Sequence, residues 1–470
     1  MIIKNLPLTI SETQLALAKG QFKCVDLVDS YLDRIKKYNQ GLNIFLTLAE
    51  DLAYQQAKAA DESIINNKKA FAEKPLLGVC VAYKDLFLTK GIRTSASSKV
   101  LENFVPVYSA TVVERMSGAG TITIGKTNHD AWGHGSSGEN SDFGLTKNPW
   151  NADYVPGGSS SGSAAALAAN LALISTGTDT GSSVRLPASF CNLFGLKPTY
   201  GAVPRFGVIA MASSLDSIGH FARCTADIAK VFNVVRGEDG HDATVKNADY
   251  LKPKAKMRIG IPKEYFIEGV DKEVEKAVSR AAKVYEKAGV ELADISLPHT
   301  KYANSVYYIV QPAEVSSNLS RYDGIRYGND RGSFGDEAKR RIMLGTYVLS
   351  AGYYDAYYLK AMKVRSILIK DFDKAFEKVD AILAPVSPTP PFKLGEKTND
   401  PLQMYLADIF TVAANLAGIP GLAVPCGFTK NKLPIGFQLM GPRFSENVLF
   451  ELGKLYEKAT NYKPEVAKLE

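Results

Sequence analysis

Serine and glycine crowd two loops that flank a predicted helix in residues 155–201. The first loop, residues 157–162, reads GGSSSG, and the second, residues 177–185, reads GTDTGSSVR. Small residues leave backbone N–H groups free to converge on a developing negative charge, and serine hydroxyls are candidate nucleophiles. If the two loops face each other, they build a nucleophile and an oxyanion hole in one cleft.

A serine needs a base before it becomes a good nucleophile. Each histidine stands in a context that indicates a surface or structural residue rather than a catalytic one. The histidines are His129, His134, His220, His241 and His299. Lys84 is the next candidate, because it ends the apolar, strand-like run GVCVAYK, and burial would lower the pKa of its amine from ~10.4. The alternative is that Lys84 forms an ion pair with Asp85 or another acid on the surface.

The stretch GTITIGKT, residues 120–127, fits the phosphate-binding pattern G-x-x-x-x-G-K-[ST]. A phosphate loop needs an open loop between its glycines and a helix after its lysine. Here β-branched residues fill the interval and predict a strand, and the following residues are too rich in Gly, Ser and Asn for a helix. We therefore expect no phosphate at Lys126.

Two other short stretches match known motifs but lack the flanking helix or strand that each motif requires. GHGSSG, residues 133–138, fits a dinucleotide fingerprint, but no helix is predicted after it. GSSSG, residues 158–162, fits a nucleophile elbow, but a turn rather than a strand precedes it. Both are interpreted as loops near a site.

Bulk properties describe an ordinary globular chain. The 470 residues carry a net charge of +7, and no Lys/Arg block predicts a nucleic-acid tail. The five cysteines form no C-x-x-C pair, which argues against zinc and disulfides and favours a reducing cytoplasm. The N-terminus predicts no signal peptide, and the longest apolar run, residues 163–176, falls short of the ~20 residues of a membrane span.

The element pattern predicts a single α/β domain. Helices are expected over about residues 1–75, where Thr9 and Glu12 form a potential capping box. Short β-type runs then alternate with helical patterns over about residues 76–245, and this alternation predicts a sheet with helices on both faces. In about residues 255–470, strands are expected near Ile259 and Ile382, and a Tyr-rich helical region lies between them.

The serine-rich stretch and YKD around Lys84 together resemble the amidase signature family. The resemblance implies a mixed, twisted sheet in one amidase-signature domain. It also implies that Ser183 is the nucleophile, that Ser159 relays its proton across a cis Gly158–Ser159 bond, and that Lys84 is the base. The backbone of Thr180, Gly181, Ser182 and Ser183 would form the oxyanion hole. Ser182 departs from the family, which usually has glycine there, so its side chain is expected either to crowd this loop or to point away.

Longer stretches of the C-terminal half, such as DPLQMYLADIFTVAANLAGIPGLAVPCG, resemble one branch of that family. This branch contains the glutamine-hydrolysing subunits of tRNA-dependent amidotransferases. The resemblance implies that Tyr307, Arg341 and Asp408 hold glutamine. Arginine is suited to bind the α-carboxylate and aspartate to bind the α-ammonium. The alternative is a purely structural Arg–Asp ion pair within a helical layer.

The branch also implies partners and a division of labour. The chain would need no metal or cofactor, and a B-type subunit would use ATP and Mg²⁺ to activate charged tRNA. That subunit would take up the ammonia through a tunnel, and a small C-type subunit would complete a heterotrimer. The acceptor would be Glu-tRNA(Gln), with Asp-tRNA(Asn) as a second candidate. No membrane contact is implied, and a stand-alone amidase for another amide is the alternative.

Overall fold

The computed structural model describes residues 1–266, 269–325, 328–398 and 400–469. Eleven strands of these ranges pair into one mixed sheet, in the order β1-β3-β2-β4-β6-β5-β10-β11-β9-β7-β8. The strands are β1 (Phe45–Leu48), β2 (Cys80–Lys84), β3 (Ile122–Thr127), β4 (Ile174–Asp179), β5 (Phe194–Lys197), β6 (Ser217–Ala222), β7 (Arg258–Pro262), β8 (Glu291–Ile295), β9 (Ala381–Pro385), β10 (Gly421–Phe428) and β11 (Pro434–Met440).

Fifteen α-helices of the described ranges surround this sheet. They are α1 (Ile10–Ala18), α2 (Cys24–Leu42), α3 (Glu50–Asn66), α4 (Ala70–Glu73), α5 (Thr111–Gly118), α6 (Ser161–Ala168), α7 (Arg185–Phe190), α8 (Thr225–Val235), α9 (Lys272–Lys287), α10 (Ala303–Asn318), α11 (Asp336–Val348), α12 (Lys360–Phe376), α13 (Pro401–Leu406), α14 (Val412–Ala417) and α15 (Glu446–Thr460). A π-helical segment, Tyr354–Leu359, leads into α12.

Helices cover both faces of the sheet, as the sequence predicts. Successive strand side chains point to opposite faces, and β2 shows this directly. Val81 and Tyr83 pack in the cluster that includes residues of α5, α8 and α15, whereas Cys80 and Ala82 pack in the cluster with residues of α2 and α6. The fold class, an α/β domain with a mixed sheet, is therefore confirmed.

Local signals in the sequence are visible at the start of the chain. Thr9 and Glu12 form the predicted capping box before α1, with each side chain bonded to the backbone of the other residue. The prediction of helices alone for this segment is wrong at β1, which pairs antiparallel with β3. A four-residue strand is too short for its alternation to show in the sequence, and only its long-range pairing defines it.

The sheet places the ends of two neighbouring strands at the same edge. β2 and β4 run parallel, with Val81 opposite Ile174 and Ala82 opposite Ser175. Their carboxyl ends, Lys84 and Asp179, therefore point the same way, and the serine-rich loop after β4 starts at this edge. In open α/β sheets ligands bind at the carboxyl ends of the strands.

Lys126 lies inside β3 and is fully buried. Its amine forms an ion pair with Asp85 at 3.1 Å and donates to the Phe87 carbonyl and the Thr94 hydroxyl, both at 2.7 Å. Residues 122–127 are strand, as predicted, rather than a phosphate-binding loop. The lysine that matches the phosphate-binding pattern is a structural cation.

Removing this cation should destabilise the fold. Lys126→Met leaves the Asp85 carboxylate buried without its charge partner, and breaking a buried ion pair in this way typically costs about 3–5 kcal/mol. We expect the free energy of unfolding, followed in urea, to fall by about that amount.

Lys68→Met is the matched control, because Lys68 lies near the protein surface. The double variant Asp85→Asn/Lys126→Met should be more stable than Lys126→Met, since it buries no unpaired charge. An unchanged urea midpoint for Lys126→Met would contradict this account.

Candidate active site

The amine of Lys84 lies at the centre of a group of hydroxyls. It is fully buried, and its Nζ lies 2.8 Å from the Ser159 Oγ, 2.8 Å from the Thr178 Oγ1 and 3.0 Å from the Ser160 Oγ. Within the described ranges no carboxylate forms an ion pair with Lys84. The alternative of a Lys84–Asp85 pair is wrong, because Asp85 faces Lys126.

Burial lowers the pKa of Lys84 from its usual value to about 7. The negative charges of Asp130, Asp179 and Asp216 act in the opposite direction without outweighing it. Near neutral pH a large fraction of the amine is therefore uncharged, and an uncharged amine can accept a proton from a neighbouring hydroxyl.

The first serine loop positions Ser159 against this amine. The Gly158–Ser159 peptide bond is cis, and α6 begins two residues after Ser159. A Cβ added at Gly158 would lie 2.1 Å from an Asp130 carboxylate oxygen, so only glycine fits there. Asp130 in turn accepts hydrogen bonds from the backbone N–H groups of Gly138 and Asn140, which hold its carboxylate behind the loop.

The second loop carries Ser183 between β4 and α7. The Ser160 N–H donates to the Ser183 carbonyl oxygen at 3.3 Å, and this bond joins the two loops. The Ser183 side chain is nearly buried, and its hydroxyl makes no hydrogen bond to any residue that the structure describes. The nucleophile candidate is thus unengaged by those residues, and no direct Ser159–Ser183 hydroxyl bond is formed.

Four consecutive N–H groups of this loop, from Thr180 to Ser183, are also unengaged. None donates a hydrogen bond within residues 1–266, 269–325, 328–398 or 400–469. Gly181 must be small, because a Cβ there would lie 2.9 Å from the Tyr307 hydroxyl. Free backbone donors next to a nucleophile are what an oxyanion hole requires.

Arg185 holds the loop from behind. Its guanidinium is fully buried and bonds the Asp179 carboxylate at 3.0 and 3.1 Å, the Gly181 carbonyl at 3.0 Å and the Asn415 side chain at 2.6 Å. Burial would raise the pKa of Asp179, but the charge of Arg185 brings it below its usual value. The ion pair therefore fixes the loop while both charges remain in place.

The structure brings Tyr307 and Asp408 to the second loop, residues 177–185, which we call the nucleophile loop because it carries the candidate nucleophile Ser183. Tyr307 lies on α10 against Gly181, and Asp408 accepts a hydrogen bond from the Ser182 hydroxyl at 2.6 Å. Arg341 lies on α11, and Tyr308 contacts both the Arg341 guanidinium and the Asp408 carboxylate. The alternative of an Arg341–Asp408 ion pair is wrong, because the partner of Arg341 is Glu337, at 2.8 Å.

Two cavities are lined by residues close to this loop. One, of about 200 Å³, is lined by Ser136, Tyr308 and Arg341 among others. It is smaller than the ~300–1,000 Å³ that drug-sized ligands occupy. The other, of about 370 Å³, is lined by Thr178 and Asp216.

Side chains of the loop connect it to both cavities. Thr180 donates to Asp216 at 2.7 Å, whereas Ser182 bonds Asp408, which also accepts from Ser136. The loop is thus bonded to one residue that lines the larger cavity, Asp216, and through Asp408 to one that lines the smaller cavity, Ser136.

Three residues of the site are not predicted from the sequence. Ser160 and Thr178 contact the Lys84 amine, although the sequence assigns only Ser159 to it. Tyr308 donates to Asp408 at 3.2 Å, and its ring lies 5.3 Å from the Arg341 guanidinium. The signals that could have found them are the extra hydroxyls of the two loops and the second tyrosine beside Tyr307.

The described ranges hold no group of three or more His, Cys, Asp or Glu side chains that could bind a metal ion. Across the same ranges, no helix has both the length and the apolar character needed to cross a membrane. No histidine in them hydrogen-bonds to Lys84, Ser159 or Ser183.

This arrangement can carry acyl transfer. A proton from Ser183 can pass through Ser159 to Lys84 while the Ser183 oxygen attacks a carbonyl carbon, and the free N–H groups can bind the resulting oxyanion. For an amide, collapse expels an amine that takes the proton, and water then releases the acid. Serine–lysine sites on other folds use the same logic.

Comparisons with known proteins agree with this chemistry. Residues 26–450 match the family model described as Amidase. The chain is 50% identical over 464 residues to the A subunit of the glutamyl-tRNA(Gln) amidotransferase of Carboxydothermus hydrogenoformans, covering 94% of this chain and 95% of the relative. It is 49% identical to the same protein of Heliobacterium modesticaldum over 474 residues, covering 96% of each.

A solved structure gives the same relationship. The crystal structure of the corresponding glutamyl-tRNA(Gln) amidotransferase chain from Thermotoga maritima aligns with a TM-score of 0.84 at 38% identity, covering 100% of both chains.

The base should give the reaction a characteristic pH dependence. Because Lys84 must be uncharged to accept a proton, amide hydrolysis should be lost as the pH falls through about 7, the pKa that burial gives Lys84. Lys84→Arg keeps the charge at every accessible pH and should lower kcat/KM by about 10²–10⁴-fold.

The measurement is kcat/KM for amide hydrolysis between about pH 5.5 and 9. This range brackets the titration of a group with a pKa near neutrality. Lys69→Arg, at an exposed position, serves as the control and should keep the wild-type profile. A Lys84→Arg protein that retained the wild-type rate and profile would remove Lys84 from the mechanism.

Proposed function

The chain belongs to the amidase family, and on that basis we propose that it is the glutamine-hydrolysing subunit of a tRNA-dependent amidotransferase. One observation carries the proposal. Asp408, a buried carboxylate without a cationic partner among the described residues, is bonded directly to the nucleophile loop, and a buried guanidinium, Arg341, lines the cavity beside it. An α-amino acid offers the complementary ammonium and carboxylate.

The Asp408 carboxylate receives the α-ammonium group of glutamine. Its hydrogen bonds among the described residues come only from hydroxyls, so no ion pair neutralises its charge until a cation binds. Arg341 receives the α-carboxylate. Its Nε bonds Glu337 and its Nη1 bonds Gln311, whereas its Nη2 has no partner within the described ranges. A guanidinium with a free nitrogen is suited to a carboxylate.

Glutamine held in this way presents its side-chain amide to Ser183. Lys84 removes the Ser159 proton as Ser159 takes that of Ser183, and the Ser183 oxygen bonds to the amide carbon. The N–H groups of the loop from Thr180 onward bind the oxyanion. Ammonia departs with the returned proton, and water hydrolyses the acyl-enzyme to glutamate by the reverse relay.

The ammonia is used elsewhere in the complex. A B-type subunit binds ATP and Mg²⁺, activates the side chain of Glu-tRNA(Gln) and converts it to Gln-tRNA(Gln), with Asp-tRNA(Asn) as the second candidate acceptor. A small C-type subunit completes the heterotrimer, and the complex works in the cytoplasm. The relatives, at about 50% identity over nearly the whole chain, support this assignment.

The larger cavity is the route by which ammonia leaves. Its lining includes Thr178, which bonds the Lys84 amine, and extends to Phe206, whose ring is exposed. Phe206 stacks on Tyr108, which is also exposed. Exposed apolar rings at the mouth of a cavity mark a contact surface, and we place the B-type partner there.

Narrowing this route should uncouple the two reactions. Ala210→Trp fills part of the larger cavity, away from Arg341 and Asp408. In the complex, glutamine hydrolysis should keep its KM, while the ratio of glutamate to amidated tRNA rises severalfold because ammonia escapes.

Lys69→Trp, at an exposed position, is the control and should keep a ratio near one. A raised KM for glutamine in Ala210→Trp would show instead that substrate enters by this cavity.

The alternative is a stand-alone amidase acting on another amide, and coupling to tRNA separates the two. We expect glutamate release by the chain co-purified with its partners to rise by about tenfold or more when ATP and charged tRNA are both added, as for a site assembled by its partners. Ser183→Ala in the same complex should abolish the release. Fast hydrolysis by the lone chain, indifferent to tRNA, would favour the alternative.

A further inference from the structure

The side chain of Ser182 joins the nucleophile loop to the carboxylate of Asp408. Ser182 immediately precedes Ser183, and its hydroxyl donates to the Asp408 Oδ1 at 2.6 Å. Both side chains are buried, and such short O–H···O⁻ distances are typical of charge-assisted hydrogen bonds. The side chain therefore points away from the oxyanion hole and does not crowd it.

Asp408 depends on hydroxyls for its charge. Ser182, Ser136 and Tyr308 donate to it at 2.6, 2.8 and 3.2 Å, and they come from three separate segments of the chain. Burial raises the pKa of Asp408, while these hydroxyls and the charge of Arg341 act against that rise. No cation bonds it in the described ranges, so a buried carboxylate without an ion-pair partner lies one hydroxyl away from the oxyanion loop.

That charge opposes the reaction when no ligand neutralises it. The tetrahedral intermediate places a new negative charge at the N–H groups of the loop that includes Ser182. Like charges in a buried site repel strongly, because the effective dielectric constant is low. An ammonium bound at Asp408 cancels the repulsion and competes for the lone pairs that Ser182 occupies.

We propose that the Ser182 hydroxyl couples the nucleophile loop to Asp408, so that Ser183 becomes fully reactive only when an α-ammonium group is bound there. Ser182 is then a positioning residue that favours free α-amino acids over amides without an amino group. The inference rests on the proposed glutaminase function, since it takes glutamine as the ligand of Asp408.

The test compares glutamine with glutaramate, which has the same amide and carboxylate but lacks the α-ammonium group. Both are assayed by ammonia release with the full chain in complex with its partners. Ser182→Ala should lower kcat/KM for glutamine by about 10- to 100-fold, the range of a hydrogen bond to a charged group. The value for glutaramate should fall by less than about threefold, because no ammonium binds Asp408 in that case and the Ser182 hydrogen bond contributes little to turnover.

A double-variant cycle on glutamine alone gives a second reading. If Ser182 acts through Asp408, the double variant Ser182→Ala/Asp408→Asn should be no worse than Asp408→Asn, and the two losses should not add. Ser217→Ala is the control, because its hydroxyl is buried and has no hydrogen-bond partner in the described ranges. It should leave both substrates unaffected.

Each outcome is decisive. Equal losses on glutamine and glutaramate, or additive losses in the cycle, would overturn the coupling and leave Ser182 with a local role in the loop. Glutaramate hydrolysis also reports that the variant is folded, since it uses the same nucleophile. If the wild-type complex failed to hydrolyse glutamine, the proposed function itself would fall, and the glutaramate rate would separate that result from a failure of the coupling.

Discussion

The buried amine of Lys84 has hydroxyl neighbours but no carboxylate partner among the described residues, and the rest of the site is arranged around that condition. An acid in contact would stabilise the ammonium and remove the base. Three acids, Asp130, Asp179 and Asp216, lie close enough to act on the pKa of Lys84 through space. Each of them is bonded to other groups. Arg185 bonds Asp179, backbone N–H groups bond Asp130, and Thr180 and the backbone of Met211 and Ala212 bond Asp216. The acid next in sequence, Asp85, bonds Ser95 and pairs with Lys126. Desolvation therefore determines the protonation state of the Lys84 amine.

The loop that carries Ser183 has a second constraint, because acids lie on both sides of it. Thr180 bonds Asp216 and Ser182 bonds Asp408, and burial raises the pKa of both carboxyls, to about 6 for Asp216. These bonds hold four N–H groups in a fixed array without using any of them. Their disadvantage is negative charge near a developing oxyanion, which Arg185 offsets from behind. An ammonium group bound at Asp408 would offset this negative charge from the Asp408 side of the loop.

Much of the fold and of the candidate site could be predicted from the sequence, and the contacts that were not predicted share a physical cause. The strands that end at Lys84 and Asp179 appear as apolar runs, and the Gly/Ser loops mark where small residues are required, so Lys84 and Ser159 could be paired by resemblance and spacing. The contact of Thr178 is not predicted, because it depends on the register between β2 and β4, which no local pattern encodes. The sequence leaves Asp408 open as a partner of Arg341, whereas the ion pair is with Glu337, one helical turn away. Such a choice is made by packing, which periodicity does not describe.

The residues proposed to react and those proposed to bind the substrate come from different parts of this chain. Lys84, Ser159 and Ser183 come from the first half of the sequence and meet at one sheet edge, whereas α10, α11 and the segment before α14 carry the residues that we propose bind glutamine. The two parts meet at the nucleophile loop through the packing of Tyr307 on Gly181 and the bond from Ser182 to Asp408. The helical part can therefore change which amide is accepted without disturbing the base, provided that the loop stays in place. A side chain on the loop itself can make the chemistry depend on what the helical part has bound, and Ser182 is the residue in that position.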